Sequence, residues 1–94
     1  MTAGRRKKER PETLPENSER EIQRRRDLGI RIRECRERRG WSLRDLAAAS
    51  GLHHNNLLAI EQGAVDAKVG TITGLAQALE CEEAWLLLGG RLQH

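Results

Sequence analysis

The chain has 94 residues, of which 33% are charged and only 2% aromatic, so it suits one small domain with an aliphatic core. No apolar run reaches the roughly 20 residues of a membrane span, and no hydrophobic secretory segment is visible, which favours a cytoplasmic protein without a membrane partner. Residues 1–44 carry 15 basic and 8 acidic side chains (net +7), whereas residues 45–94 carry 2 and 6 (net −4). A polyanion such as DNA would be attracted to the basic half.

The first 17 residues are basic and lack apolar periodicity, which favours an arm without regular structure. Such an arm is either a solvated tail or a segment that adds salt-dependent affinity for DNA. Ser18 and Glu21 form a capping-box pattern that allows a helix from about residue 18, either continuous or broken before Leu28. We therefore divide the chain into a basic arm over 1–27 and a domain over 28–90. The basic residues of the arm are Arg5, Arg6, Lys7, Lys8 and Arg10.

An apolar stripe made by Leu28, Ile32 and Cys35 predicts the core face of a first helix, which ends at Gly40. Ile22 and Ile30 lie on a different face of this helix. They are either ordinary surface residues or a contact with a second subunit.

The segment from Ser42 to Gly63 predicts two short helices joined by a sharp turn. Ser42 is a good N-cap that Asp45 can complement, and Gly51 stands where a helix ends with positive φ. Leu57 and Ile60 then restart the helical spacing. This order is typical of a helix-turn-helix, whose second helix enters the DNA major groove.

Two further helices are predicted, over Val69–Leu79 and Glu82–Leu88, which makes the fold all-α with five helices. Four consecutive apolar residues at 85–88 cover more than one helix face, which suggests a dimer interface. Cys35 and Cys81 are expected to be buried thiols rather than redox sensors. His53 and His54 point about 100° apart and lack a third ligand, so no metal or cofactor is predicted.

The chain resembles the Cro/phage-repressor (XRE-like) helix-turn-helix family over about residues 28–89. The resemblance rests on the order of LGIRIRECRERRGWS, LAAASGL, IEQG, LAQAL and AWLLLG. It implies a lambda-repressor-like domain with a basic N-terminal extension, encoded by a bacterium or phage. It also implies that Arg36 and Glu61 form an ion pair between the first helix and the end of the third, the alternative being two separate surface charges.

The resemblance assigns residues to DNA contact position by position. The base-facing positions are His54, Asn55, Leu58 and Ala59; an Asn can pair with adenine and an Ala suits the thymine methyl group. The backbone-contacting positions are Ser42, Leu43, Arg44, His53, Asn56, Gln62, Arg38 and Arg39. Three residues depart from the family pattern: Leu43 replaces a frequent glutamine, His53 replaces a hydroxyl cap, and Leu58 is bulky and apolar.

These observations predict a sequence-specific transcriptional regulator that binds double-stranded DNA, specifically a homodimeric repressor on a palindromic operator. The alternative is a protein-interaction module, such as a bridging factor or an antitoxin-like partner of a second protein. Leu58, the uncharged reading helix and the Ile22/Ile30 face motivate that alternative. An enzyme is not expected, because no nucleophile–base pair, phosphate loop or metal cluster is visible.

Overall fold

Within the described part of the chain five helices follow one another, and the prediction of an all-α fold is confirmed. The computed structural model describes the backbone of residues 2–90 and the side chains of residues 18–90. None of the described helices is long and apolar enough to cross a membrane. The helices are α1 (Thr2–Arg38), α2 (Leu43–Ser50), α3 (His54–Glu61), α4 (Val69–Leu79) and α5 (Glu83–Leu88).

The first helix is longer than the sequence predicted. The capping-box pattern at Ser18 suggested a start there, and an arm without regular structure before it, but α1 already begins at Thr2 and continues without a break past Leu28. The propensity of its Arg, Lys and Glu residues favours this extension of α1, whereas Pro11 and Pro15 within it oppose a helix. The side chains of the predicted basic arm, Arg5, Arg6, Lys7, Lys8 and Arg10, lie outside the described residues. The division of the chain at residue 27 stays a prediction.

The core lies between α1, which packs on α3, α4 and α5, and α2, which packs on α3 and α4. The predicted stripe of Leu28, Ile32 and Cys35 is buried there, and Ile32 is fully inaccessible to solvent. Full burial of one such aliphatic side chain stabilises the fold by roughly 1.5–3 kcal/mol. The other helices contribute Leu46, Leu57, Ile60, Ile72, Leu75, Ala76, Leu79 and Leu86.

A tight turn reverses the chain after α1 and delivers it to α2. Gly40 adopts φ +72°, which glycine reaches without strain, and its N–H donates to the carbonyl of Glu37. Trp41 then packs half-buried against the core, and the guanidinium of Arg39 lies 4.5 Å from its ring centroid. This turn fixes where the helix-turn-helix begins.

The last helix leaves part of its apolar surface outside the core. Leu86 is fully buried, whereas Leu87 is 37% and Leu88 74% exposed. Because successive helical residues point about 100° apart, four adjacent apolar residues cannot all face one core. The apolar surface that the sequence predicted outside the core is therefore present on α5.

Candidate nucleic-acid interface

The start of α2 is fixed by a reciprocal capping box, as the sequence predicted. The Ser42 hydroxyl oxygen accepts a hydrogen bond from the Asp45 N–H at 3.1 Å. The Asp45 carboxylate accepts one from the Ser42 N–H at 2.8 Å. At the other end, Gly51 is left-handed (φ +77°) and its N–H donates to the Ala47 carbonyl. Each end of α2 thus has a local cap, which satisfies the Asp45 N–H at the start and the Ala47 carbonyl at the end.

The start of α3 is capped by an imidazole instead of a hydroxyl. His53 has extended backbone angles, and its Nδ1 accepts a hydrogen bond from the Asn55 N–H at 3.4 Å. The distance is at the long end of the usual range, so this cap satisfies one donor only weakly. The imidazole thus caps α3 through the lone pair of Nδ1, which accepts this hydrogen bond.

The four side chains assigned to base reading lie on the outer part of α3. Asn55 is exposed, while His54, Leu58 and Ala59 are half-buried. The opposite side of the helix is anchored in the core by Leu57 and Ile60. Asn55 and Ala59 are one turn apart, so they share a face. This arrangement leaves a narrow polar and apolar surface that carries no positive charge.

An open cavity of about 300 Å³ lies between α1, the start of α2 and the outer part of α3. Leu43 at the start of α2 and Leu58 on α3 form its apolar part. Gln62 and Arg33 form polar parts of the lining, and the Arg36–Glu61 pair completes it. Two of the residues that depart from the family pattern, Leu43 and Leu58, therefore line one cavity.

Arg36 and Glu61 form a bidentate ion pair that joins α1 to the last residue of α3. Arg36 Nε donates to Glu61 Oε2 at 2.7 Å and Nη2 donates to Oε1 at 3.0 Å. A third guanidinium nitrogen, Nη1, donates to the Trp41 carbonyl at 2.9 Å. The side chains are only 11% and 5% exposed. The hydrogen bond to Glu61 is the main reason why the pKa of Arg36 lies above its ordinary value.

Arg33 belongs to this surface although sequence reasoning did not assign it. It lines the cavity beside Gln62, its side chain is 64% exposed, and its Nε donates to Glu37 at 3.0 Å. The spacing of Arg33 in the sequence could have identified it, because a residue three positions before Arg36 lies on the same side of a helix.

Arg38 and Arg39, which were assigned to the DNA backbone, lie on a different side of the domain. Both line a cavity beside Cys35 and Cys81. Arg39 donates to the Leu79 carbonyl at 3.3 Å and pairs with Glu80 at 3.5 Å. Its guanidinium therefore stabilises the C-terminal end of α4, where unpaired carbonyls attract cations. Of the remaining backbone positions, Leu43 is half-buried, and the others are exposed: Ser42, Arg44, His53, Asn56 and Gln62.

The two cysteines face each other across the packing of α1 and the turn after α4. Cys35 is buried and Cys81 half-buried, and both line the same cavity. Burial raises the pKa of both, that of Cys81 to about 11. Among the described residues, no group of three or more His, Cys, Asp or Glu side chains is placed to hold a metal ion.

Known proteins are similar to this chain over most of its length. A family model described as a helix-turn-helix domain matches residues 27–86. The crystal structure of the restriction-modification controller protein C.AhdI from Aeromonas hydrophila is similar, with a TM-score of 0.64 and 34% sequence identity. The similarity covers 66% of this chain and 94% of that one. No curated protein matches the chain.

Proposed function

The chain belongs to the XRE-like family of helix-turn-helix domains, which are DNA-binding regulators of transcription, and from this premise we propose a homodimeric repressor that binds a palindromic operator. The observation that carries the proposal is the locked α2–turn–α3 unit, whose outer face presents Asn55 while Leu57 and Ile60 hold it to the core. The similar Aeromonas protein is a restriction-modification controller, and we propose a controller role of this kind for the present chain.

Base recognition in this proposal is carried by the outer face of α3. The Asn55 amide oxygen accepts a hydrogen bond from adenine N6–H, and its NH2 group donates one to adenine N7. The Ala59 methyl group contacts the methyl group of thymine. His54 and Leu58 contact neighbouring base edges. Each correct bidentate contact contributes about 1–3 kcal/mol of discrimination against a wrong base.

Phosphate contacts in this proposal come from the helix starts and the edge of α1. The N-terminal amides of α2 and α3 donate to phosphate oxygens. Arg44 on α2 and Arg33 on α1 supply positive charge near α3, which itself contains neither Lys nor Arg. Because phosphate neutralisation dominates affinity, we expect binding to depend strongly on salt and on the basic segment of α1. Exposed polar residues complete the contact set: Ser42, Asn56 and Gln62.

Selection of bound fragments from a random DNA pool tests this proposal. We expect an enriched palindrome whose half-sites are about one helical turn apart. On that operator, Asn55→Ala is expected to lower affinity about tenfold or more and to relax preference at one base pair per half-site. Gln77→Ala, an exposed amide on α4, is the matched control and should leave binding unchanged. A pool without an enriched sequence would contradict base reading.

One observation favours a second candidate, a protein-interaction module. Leu43 and Leu58 form the apolar part of a cavity on the outer surface of the helix-turn-helix. An apolar side chain of a partner protein would fit this cavity. The variant Leu58→Glu distinguishes the two functions. Its binding to the selected DNA and its binding to any protein that co-purifies with the wild type are both measured. Loss of a stoichiometric protein complex, with no operator found, supports the interaction module.

A further inference from the structure

A cavity that the proposed DNA contacts do not use lies between α1, the start of α4 and α5. Its volume is about 200 Å³, which is below the roughly 300–1,000 Å³ that is common for sites of drug-sized ligands. We call it the Arg25 cavity, after a cation in its wall. A concave site of this size suits a small ligand with an aliphatic side chain. The apolar part of its lining consists of Leu28, Ala67, Val69, Ile72 and Leu87.

Part of the wall of the Arg25 cavity lies outside the region that the helix-turn-helix family model covers. That model begins at residue 27, whereas Arg24 and Arg25 precede it on α1. Both arginines line the cavity because α1 continues without a break before Leu28. The cavity is therefore built partly from this chain's own extension of the first helix.

Arg25 contributes a cation whose hydrogen-bonding capacity is largely unused. Its side chain is only 29% exposed, and its contact with Glu21, at 3.6 Å, is too long for a hydrogen bond. Its Nε is buried without a hydrogen-bond partner among the described residues, which costs free energy. A carboxylate can accept two parallel hydrogen bonds from one guanidinium. A ligand carboxylate would therefore stabilise Arg25 once a rotation of its side chain presents the N–H groups to the cavity.

The two carboxylates in the wall of the Arg25 cavity differ in their contacts. Asp66 pairs with Arg24 at 3.6 Å. Glu83 lines the cavity and forms no ion pair or side-chain hydrogen bond with the residues that the structure describes. An unpaired carboxylate repels a simple carboxylic acid and attracts an ammonium group. The charges of the wall therefore favour a ligand that carries one carboxylate and one ammonium group.

We propose that the Arg25 cavity binds a free α-amino acid with a branched aliphatic side chain, such as leucine. The ligand carboxylate pairs with Arg25 and its ammonium group pairs with Glu83. Its side chain packs against Leu28 and Ile72, so the ligand joins α1 to α4 and α5. This inference goes beyond the proposed function, because the site requires neither DNA nor a dimer.

Isothermal titration calorimetry of the full chain with leucine tests the site. We expect Arg25→Gln to lower the affinity for leucine about tenfold or more, because a charged hydrogen bond is lost. Arg38→Gln removes the same charge from a part of α1 that lines another cavity, so it is the matched control and should leave the affinity unchanged. Ala67→Leu fills the Arg25 cavity without changing any charge and should abolish binding. Circular dichroism melts verify that each variant is folded.

Two analogues of leucine test the roles of its two charged groups. Isocaproate lacks the ammonium group and leucinamide lacks the carboxylate, so we expect each to bind about tenfold or more weakly than leucine. Glu83→Gln should lower the affinity for leucine but not the affinity for isocaproate. Glu82→Gln is the matched control, because Glu82 is exposed beside Glu83 but does not line the cavity.

Three outcomes would overturn this inference. If isocaproate binds as tightly as leucine and Glu83→Gln has no effect, the site accepts a simple carboxylate and not an amino acid. If Ala67→Leu binds leucine as the wild type does, the ligand lies elsewhere. If neither leucine nor its analogues bind, the inference fails, and a changed sedimentation velocity of Ala67→Leu would then indicate that a second chain covers the cavity. Operator selection is independent of all three, so the proposed function stands or fails separately.

Discussion

The α-carbon of Gly29 in α1 lies directly against the main-chain carbonyl of Glu61 at the end of α3. A β-carbon at position 29 would lie 2.6 Å from the Ile60 carbonyl oxygen and closer still to that of Glu61. Arg36 lies seven residues later, two turns along the same side of α1, and its guanidinium holds the side chain of the same glutamate. Helix α3 is thus fixed to α1 through both its backbone and its last side chain, which orients its outer face.

Replacing Gly29 by alanine is expected to destabilise the domain. The added methyl group meets backbone atoms that cannot rotate away, and such overpacking costs about 1–3 kcal/mol. This cost exceeds the roughly 1 kcal/mol by which alanine is the better helix former. Urea unfolding followed by circular dichroism measures the change. Gly70→Ala is the control, because nothing lies within 4 Å of a β-carbon there, and it should be neutral or slightly stabilising.

Removing one partner of the buried Arg36–Glu61 pair is expected to lower the free energy of unfolding more than replacing both partners by apolar residues. Glu61→Gln leaves the Arg36 guanidinium charged and almost fully buried, so we expect a loss of about 3–5 kcal/mol in the free energy of unfolding. The double variant Arg36→Met/Glu61→Met removes both charges and should lose less than Glu61→Gln alone. A double variant that is clearly less stable than Glu61→Gln would show that the pair contributes more than its burial costs.

Sequence periodicity was sufficient for the helices and for most of the core. Leu28, Ile32 and Leu57 are buried where their spacing predicted, because a helix can bury only one stripe. The exposed apolar surface of α5 was predicted only in part, since the spacing shows that residues 85–88 cannot all be buried but not which of their side chains stay outside. Contacts between residues far apart in the sequence could not be predicted from spacing. The close approach of Gly29 to Glu61 and the hydrogen bond of Arg39 to the end of α4 depend on how the helices pack against each other.

The Cys81 thiol is expected to react slowly at neutral pH. Burial raises its pKa from 9.0 to about 11, so at pH 8 only about one molecule in a thousand carries the reactive thiolate. Because the folded-state pKa is the higher one, the associated stability is complete below pH 9 and is lost as the pH rises toward 11. Iodoacetamide alkylation of the Cys35→Ser variant measures this. In this variant the rate should rise at a clearly higher pH when the protein is folded than in urea, where it should rise near pH 9; identical profiles would contradict burial as the cause.

Arg33 is expected to contribute one phosphate contact that Arg38 does not. Its exposed guanidinium lies beside Gln62 on the surface of the helix-turn-helix, whereas Arg38 lies beside Cys35 and Cys81. Loss of one phosphate contact lowers the slope of log affinity against log salt by about 0.9. We therefore expect Arg33→Gln to reduce that slope by this amount in fluorescence anisotropy titrations on the selected operator, across a series of KCl concentrations. Arg38→Gln removes the same charge from the other side of the domain and should leave the slope unchanged. Equal reductions in both variants would mean that net charge, rather than a contact at Arg33, accounts for the effect.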